Sequence, residues 1–310
     1  MKTRKEKIMA ENFVNGFQHI SLIVGEASRE IHSYRTGEKI ALKTPYKKLN
    51  DTLGGGLFPG DQVVIAGRSS VGKSAVAVEV IAEIANSHPD CIILFWSLEM
   101  ASWRNIIRML SSNMNLTVKE LLSARGPLSD EKFAQMQHLG EILSKLPIYF
   151  RDIAVTAEKW EEMVLKIQVE NPGKLIINML DHTRLVLPGM EKIEERIISN
   201  LMLAGVRVKN TINCINIFLS QLNRKIEEVD RKDVGTTGLL ASYIFGADSV
   251  FQCADIVIGL HRPEMYGLKE FKKIPTKDLL IMQIMKQRDG EVCELAFKHQ
   301  LMFNKILNDE

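Results

Sequence analysis

Apolar residues recur along this chain in two rhythms. Beyond residue 44, short and nearly continuous apolar runs occur at Gln62–Ala66, Cys91–Trp96, Ile148–Phe150, Leu175–Leu180, Cys214–Leu219, Ile256–Leu260, Leu279–Met285 and Val292–Phe297. Between them lie longer segments of helical period, among them Ala75–Ala85, Trp103–Met114, Lys159–Val169 and Glu194–Lys209. A run apolar at every position suits a strand covered on both faces. The βαβα alternation therefore predicts a mostly parallel central sheet flanked by helices. Asp289-Gly290, between the last two runs, is a tight-turn pair and predicts an antiparallel hairpin at the sheet edge.

The first 43 residues keep a different rhythm. Phe13, Phe17, Ile20, Val24, Ala27, Ile31 and Tyr34 are spaced alternately by four and three. That heptad seam predicts one amphipathic helix, and its apolar stripe needs a cover, either its own domain or a neighbouring subunit. Gly37 and the stretch RTGEKIALKTP read as a helix exit and a linker. Two parts follow: 1–43, a linker helix and linker, and 44–310, the α/β domain. Within the latter, Asn223–Gly246 is rich in charge and glycine and is expected to be a mobile loop of functional length.

Composition narrows the function classes. The chain has 310 residues, of which 45% are hydrophobic, enough for a substantial core, and 25% charged. Forty basic side chains oppose 38 acidic ones, a net charge of only +2, which excludes a strongly basic DNA-coating protein but not local basic loops. Cys91, Cys214, Cys253 and Cys293 are scattered without a C-x-x-C pair, so they are expected to be buried thiols and not a zinc site or a disulfide framework. No run of 18 apolar residues occurs, and no apolar segment follows the basic start, so a cytoplasmic protein is expected.

The candidate chemistry begins at Gly67-Arg68-Ser69-Ser70-Val71-Gly72-Lys73-Ser74, which fits G-x-x-x-x-G-K-[ST]. A predicted strand precedes it and a predicted helix follows, the context that a chance glycine turn lacks. The glycines let backbone wrap phosphate oxygens while the helix start aims free N–H groups at them. Lys73 then neutralises the β- and γ-phosphates of ATP, and Ser74 ligates Mg²⁺. A second magnesium contact is expected from Asp181, at the carboxyl end of the strand KLIINML, although Asn178 interrupts the aliphatic run. Glu99, just beyond the strand CIILFWS, can polarise the attacking water; the alternative is that it merely caps the helix beginning near Ser102.

From Lys43 to Phe303 these residues resemble the RecA-like motor domain of DnaB-type replicative DNA helicases. The opening TPYKKLNDTLGGGLFPGDQVVIAGRSSVGKS looks like that family's approach to its P-loop. SLEM matches the motif carrying the catalytic glutamate, here Glu99, and LIINMLD resembles the strand ending in Asp181. IFLSQLNR resembles the strand with a γ-phosphate-sensing glutamine, here Gln221. IMKQRDGEV resembles the segment whose Lys and Arg, here Lys286 and Arg288, reach into the adjacent subunit's nucleotide. Two cations spaced by two on a strand share one face, and an arginine supplied in trans is worth ~10³-fold or more in rate. The plainer reading of that pair is an edge-strand charge that deters aggregation.

The resemblance implies a homo-oligomer, a hexameric ring that moves 5′ to 3′ on single-stranded DNA, with a primase or a helicase loader as further partners, in a bacterial or phage-infected cell, and no membrane. Two departures matter. Where that family usually carries an Arg and acidic residues lining the DNA channel, this chain reads ASYIFGADSVFQCAD, so DNA contact is expected instead from other groups, such as backbone N–H donors or Lys225, Arg231 and Lys232 in the preceding loop. The resemblance to the motor alone leads to the expectation of a form without the family's N-terminal collar, either an abbreviated one or one whose seam docks on a neighbouring motor. Competing readings are a RecA-type recombinase or recombination mediator and a regulatory adaptor ATPase.

Overall fold

A computed structural model describes residues 13–222 and 238–308 of the chain. It divides into two compact units, Met1–Ala41 and Leu42–Glu310.

In the first unit the expected single helix gives way to a hairpin and a shorter helix. Strands β1 (Phe13–Val14) and β2 (Phe17–Gln18) pair across Asn15-Gly16, and the helix spans Ile20–Thr36. Asn15 and Gly16 both take positive φ, 49° and 87°, the conformation a tight hairpin turn demands. The seam's spacing concealed this turn, so Phe13 and Phe17 do not belong to the helix. Gly37 ends it in the left-handed region at φ 74°, its N–H bonding Tyr34 O. No residue of the helix is buried; Ile20 and Ile31 stand about 70% exposed (70% and 69%) along its apolar stripe.

The second unit is a nine-stranded sheet between helical layers. Strands β3 (Gln62–Gly67), β4 (Ile92–Ser97), β5 (Ile148–Arg151), β6 (Ile176–Asp181), β7 (Cys214–Gln221) and β8 (Ile256–His261) run parallel, in the order β8-β3-β7-β6-β4-β5. After the short pair β9 (Glu270–Phe271) and β10 (Ile274–Pro275), strands β11 (Leu279–Gln287), β12 (Cys293–Gln300) and β13 (Lys305–Leu307) extend the β8 edge antiparallel. The antiparallel edge is thus three strands, one more than the turn signal alone predicts.

Alternation along β3 shows why the runs are continuous. Val63 and Ile65 face a core shared with Val76, Val80 and Ile84 of the helix Lys73–Ser87. Val64 and Ala66 face the opposite core, with Trp160 and Val164 of the helix Ala157–Glu170 and Ile198, Leu201 and Met202 of Glu194–Thr211. Two covered faces favour apolar residues at most positions of a central strand. Asn178 departs from this and is held within the sheet through its amide N–H, its buried Oδ1 having no hydrogen-bond partner among the described residues. Its Nδ2 donates to Asn216 Oδ1 (2.9 Å) on the neighbouring strand, and Asn216 Nδ2 donates to Gly205 O (2.9 Å).

The polar stretch expected to be a mobile loop is in part structural. Residues 223–237 lie outside the described residues, but Leu239, Tyr243 and Ile244 are buried in the second core. Leu239 N–H donates to Gln283 Oε1 (2.7 Å), Phe245 N–H donates to Gln221 O (3.3 Å), and the helix Ala247–Cys253 follows. The expectation of buried thiols holds for Cys91 and Cys214, whereas Cys253 and Cys293 are half-buried; all four are free. Among the described residues no helix is long and apolar enough to cross a membrane.

Candidate nucleotide site

The site forms where four adjacent parallel strands end. β3 delivers Gly67, and the loop Arg68–Gly72 leads into the helix that starts at Lys73. Glycine is required at both ends of that loop. A Cβ on Gly67 would lie 2.7 Å from Val71 Cγ1, and Gly72 has φ +113°, which side chains rarely adopt. Ser70 also takes positive φ, 65°, and its carbonyl accepts from Arg262 Nη1 at 3.2 Å.

Lys73 folds over this loop, its Nζ donating to Gly67 O (2.8 Å) and Arg68 O (3.0 Å). Burial pulls its ammonium down to about 8, opposed by the charges of Asp181 and Glu99. A phosphate arriving here would favour the charged form and draw Nζ off those carbonyls.

Sheet register explains the carboxylates. Asp181 ends β6 opposite Ser97 of β4, and Ser74 Oγ donates to Asp181 Oδ2 at 2.9 Å. Burial raises the Asp181 carboxyl, and its buried Oδ1 has no hydrogen-bond partner among the described residues. A hydroxyl and a carboxylate in contact, with one acceptor left over, form a hard oxygen donor set that fits Mg²⁺. The chain after β4 is pinned there too, since Leu98 N–H (2.8 Å) and Glu99 N–H (3.2 Å) both donate to Asp181 O. Glu99 does not cap the next helix: Asp152 Oδ2 accepts from Ser102 N–H at 3.0 Å instead. The Glu99 side chain is half exposed, with Oε2 3.8 Å from His182 Nε2.

Gln221 sits across the sheet from Gly67, and its Nε2 donates to Ser69 Oγ at 2.9 Å. A cleft of about 310 Å³ joins these groups; Ser69, Ser70, Gly72, Lys73, Ser74 and Glu99 line it, as does Gln221. Arg108, His182 and Asn304 add polar groups to the wall, and none was expected from the sequence. Arg108 projects from the helix Ser102–Met114 towards Asp181 and Glu99, whose charges offset the downward pull of its burial. On a helical pattern it reads as one more polar-face arginine.

Lys286 and Arg288 are not in this cleft. β11 is antiparallel to β8, with Gln287 opposite Ile256, at the amino-terminal end of the parallel strands. Gly67 faces Leu260 at the other end. Four residues of strand separate the two levels, roughly 13 Å at 3.3 Å per residue. The expected alternation is also altered, because a bulge shifts the register between Ile284 and Lys286. Lys225, Arg231 and Lys232 lie outside the described residues.

A parallel sheet with a P-loop at its carboxyl edge, an acidic pair beside it and an antiparallel extension define a RecA-like nucleotide-binding domain. Residues 41–308 match the family model described as the DnaB-like helicase C terminal domain, and the chain belongs to that family. The replicative DNA helicase DnaB of Buchnera aphidicola subsp. Baizongia pistaciae is 30% identical over 257 residues, 81% of this chain and 52% of that protein. The replicative DNA helicase DnaC of Bacillus subtilis is 26% identical over 314 residues, 100% of this chain and 66% of that protein. The chain thus spans about half to two thirds of these relatives' length. In fold it is similar to a solved DnaB-like replicative helicase described together with its interactions with primase. The TM-score is 0.78, with 22% identity over 92% of this chain and 66% of that one.

Proposed function

We propose that this chain is the ATP-hydrolysing motor of a replicative DNA helicase, acting as a ring oligomer on single-stranded DNA. One observation carries the reading. Lys73, Ser74, Glu99 and Gln221 line one cleft, with buried Asp181 bonded to Ser74 behind it, whereas Lys286 and Arg288 stand at the opposite end of the sheet, too far to reach the phosphates of their own cleft. Such a split site needs two copies of the chain to be complete.

Within one subunit, Lys73 and the loop N–H groups bind the phosphates of ATP. Ser74 and Asp181 hold Mg²⁺, which when bound screens the phosphate charge. Glu99, fixed through its backbone to Asp181 yet with an accessible carboxylate, orients the water and accepts its proton. Gln221 bridges the P-loop, through Ser69, to the segment leading into residues 223–237. That position suits a reporter of the γ-phosphate to a DNA-facing loop, with Lys225, Arg231 and Lys232 as its phosphate contacts.

Residues 1–43 serve as linker and 44–310 as motor in this scheme. The exposed stripe of Ile20, Val24 and Ile31 supports docking of the linker helix on a neighbouring motor. Translocation runs 5′ to 3′, and a primase or a loader is the expected protein partner. The test is strand displacement from a forked duplex with a free 5′ tail, comparing the wild type with Lys73→Ala. ATP-dependent unwinding that the substitution abolishes supports the motor. An assembled oligomer that hydrolyses ATP without displacing strands would overturn it.

A further inference from the structure

Arg288 stands at the end of β11, outside the bulk of the sheet, yet it is not loosely held. Its backbone N–H donates to Asp255 O at 2.9 Å, and its guanidinium Nη1 lies 3.3 Å from Asp255 Oδ1. The Asp255 carboxylate is itself fixed: Oδ2 accepts from Gln62 N–H (2.8 Å) and pairs with Lys209 Nζ, both Asp255 and Lys209 side chains being only 10% exposed. Lys286 is anchored one residue earlier, its Nζ donating to Ala254 O (2.7 Å) and to Phe251 O at the end of the helix Ala247–Cys253. A cation on the carbonyls of a helix terminus is favourably placed.

We infer that Asp255 is the positioning residue of the Lys286–Arg288 pair, and that with the helix Ala247–Cys253 it presents both cations to the adjacent subunit's phosphates. The inference rests on the split-site reading above. Two facts favour presentation over sequestration. The Arg288 side chain stays 55% exposed, and Asp255 engages one nitrogen of a fork that carries five donors. Asp255 is also already compensated by Lys209, so its pull on a second cation is weak. The same helix is reached from Gln221 through Leu222, which bridges to Ile244, and through Phe245, so the cation mount and the γ-phosphate reporter sit at two ends of one short stretch of chain.

The experiment measures ATP hydrolysis by the full-length chain in its assembled form: wild type, Arg288→Ala, Asp255→Asn, Lys209→Met and Glu99→Gln. Asp255→Asn keeps an acceptor for Gln62 N–H while removing the charge. It is expected to lower kcat roughly 10–100-fold, the scale seen when the orienting partner of a metal ligand is lost, with nucleotide affinity at its own cleft unchanged. Adding it to Arg288→Ala is expected to cost less than it does in the wild type, the remainder acting through Lys286. Lys209→Met, which removes the same buried pair without touching Arg288, serves as the structural comparison and is expected to lower stability with a smaller effect on kcat.

Mixing supplies a readout that damage to folding cannot imitate. Glu99→Gln chains have a dead cleft and intact cations; Asp255→Asn chains have the reverse. A one-to-one mixture is expected to hydrolyse faster than either alone, as is the mixture of Glu99→Gln with Arg288→Ala. If the Arg288 mixture complements and the Asp255 mixture does not, the positioning role falls. If Arg288→Ala is as active as wild type, the split-site reading falls and takes this role with it. Should Asp255→Asn fail to assemble, Asp255→Asn/Lys209→Met, which leaves no unpaired buried ammonium, carries the same test.

Discussion

Replacing Glu79 with Gln is expected to remove a pH dependence built into the fold. Glu79 lies on the helix that follows the P-loop. Its Oε2 accepts from Tyr46 Oη at 2.7 Å, and its carboxylate accepts from Ile306 N–H at 3.1 and 3.3 Å, so it ties the start of the domain to the last strand. Burial pushes its carboxyl up from 4.5 to about 7, against the pull of those donors. A raised value means that the folded chain keeps a proton the unfolded chain releases, so this group's contribution is full below pH 4.5 and is lost as pH rises through 7. From about pH 5 to about pH 8 the linkage amounts to roughly 2–3 kcal/mol of unfolding free energy. Asp61, raised to about 6 mainly by burial, adds a slope of the same sign in both chains and cancels in the comparison. The assay is chemical denaturation of wild type and Glu79→Gln in parallel at these two pH values. The variant is expected to gain roughly 2–3 kcal/mol relative to wild type between the two, over any constant offset from its amide. A difference that does not change with pH would refute the argument.

Three further outcomes are expected. Gly205→Ala places a Cβ 2.2 Å from Gln62 Oε1 and 3.0 Å from Phe218 Cε2; the crowding is expected to cost about 1–3 kcal/mol, less a fraction for better helix propensity, in a denaturation midpoint. Glu99→Gln is expected to bind ATP normally by equilibrium titration while losing ~10²–10⁴-fold in single-turnover hydrolysis; comparable weakening of binding would contradict a role confined to the water. Arg108→Ala removes a cation from the cleft wall, and triphosphate affinity is expected to fall roughly tenfold or more in the same titration, as loss of a charge-assisted hydrogen bond does. An unchanged affinity would reduce Arg108 to a partner of Asp181 and Glu99.

The local pattern of this sequence determined its elements and the heart of its cleft. Strands buried on both faces are apolar at most positions, and a phosphate loop must be bounded by glycines and followed by a helix start, so both features are written in consecutive residues. Asp181 and Glu99 were legible for the same reason, each lying just beyond an apolar run that ends at the carboxyl edge of the sheet. The N-terminal turn was hidden because spacings of four and three fit a helix as well as they fit a hairpin followed by one. Only Asn15-Gly16, which tolerate positive φ, distinguish the two. What the tertiary structure alone decided are the meetings between distant segments. Arg108 turns from a surface-patterned helix into the cleft because helix packing rotates it there. Asn178 is tolerable because the register sets it opposite Asn216. Asp255, one acidic residue in an apolar neighbourhood, gains its part from β8 and β11 running antiparallel, which brings Arg288 to it from 33 residues along the chain.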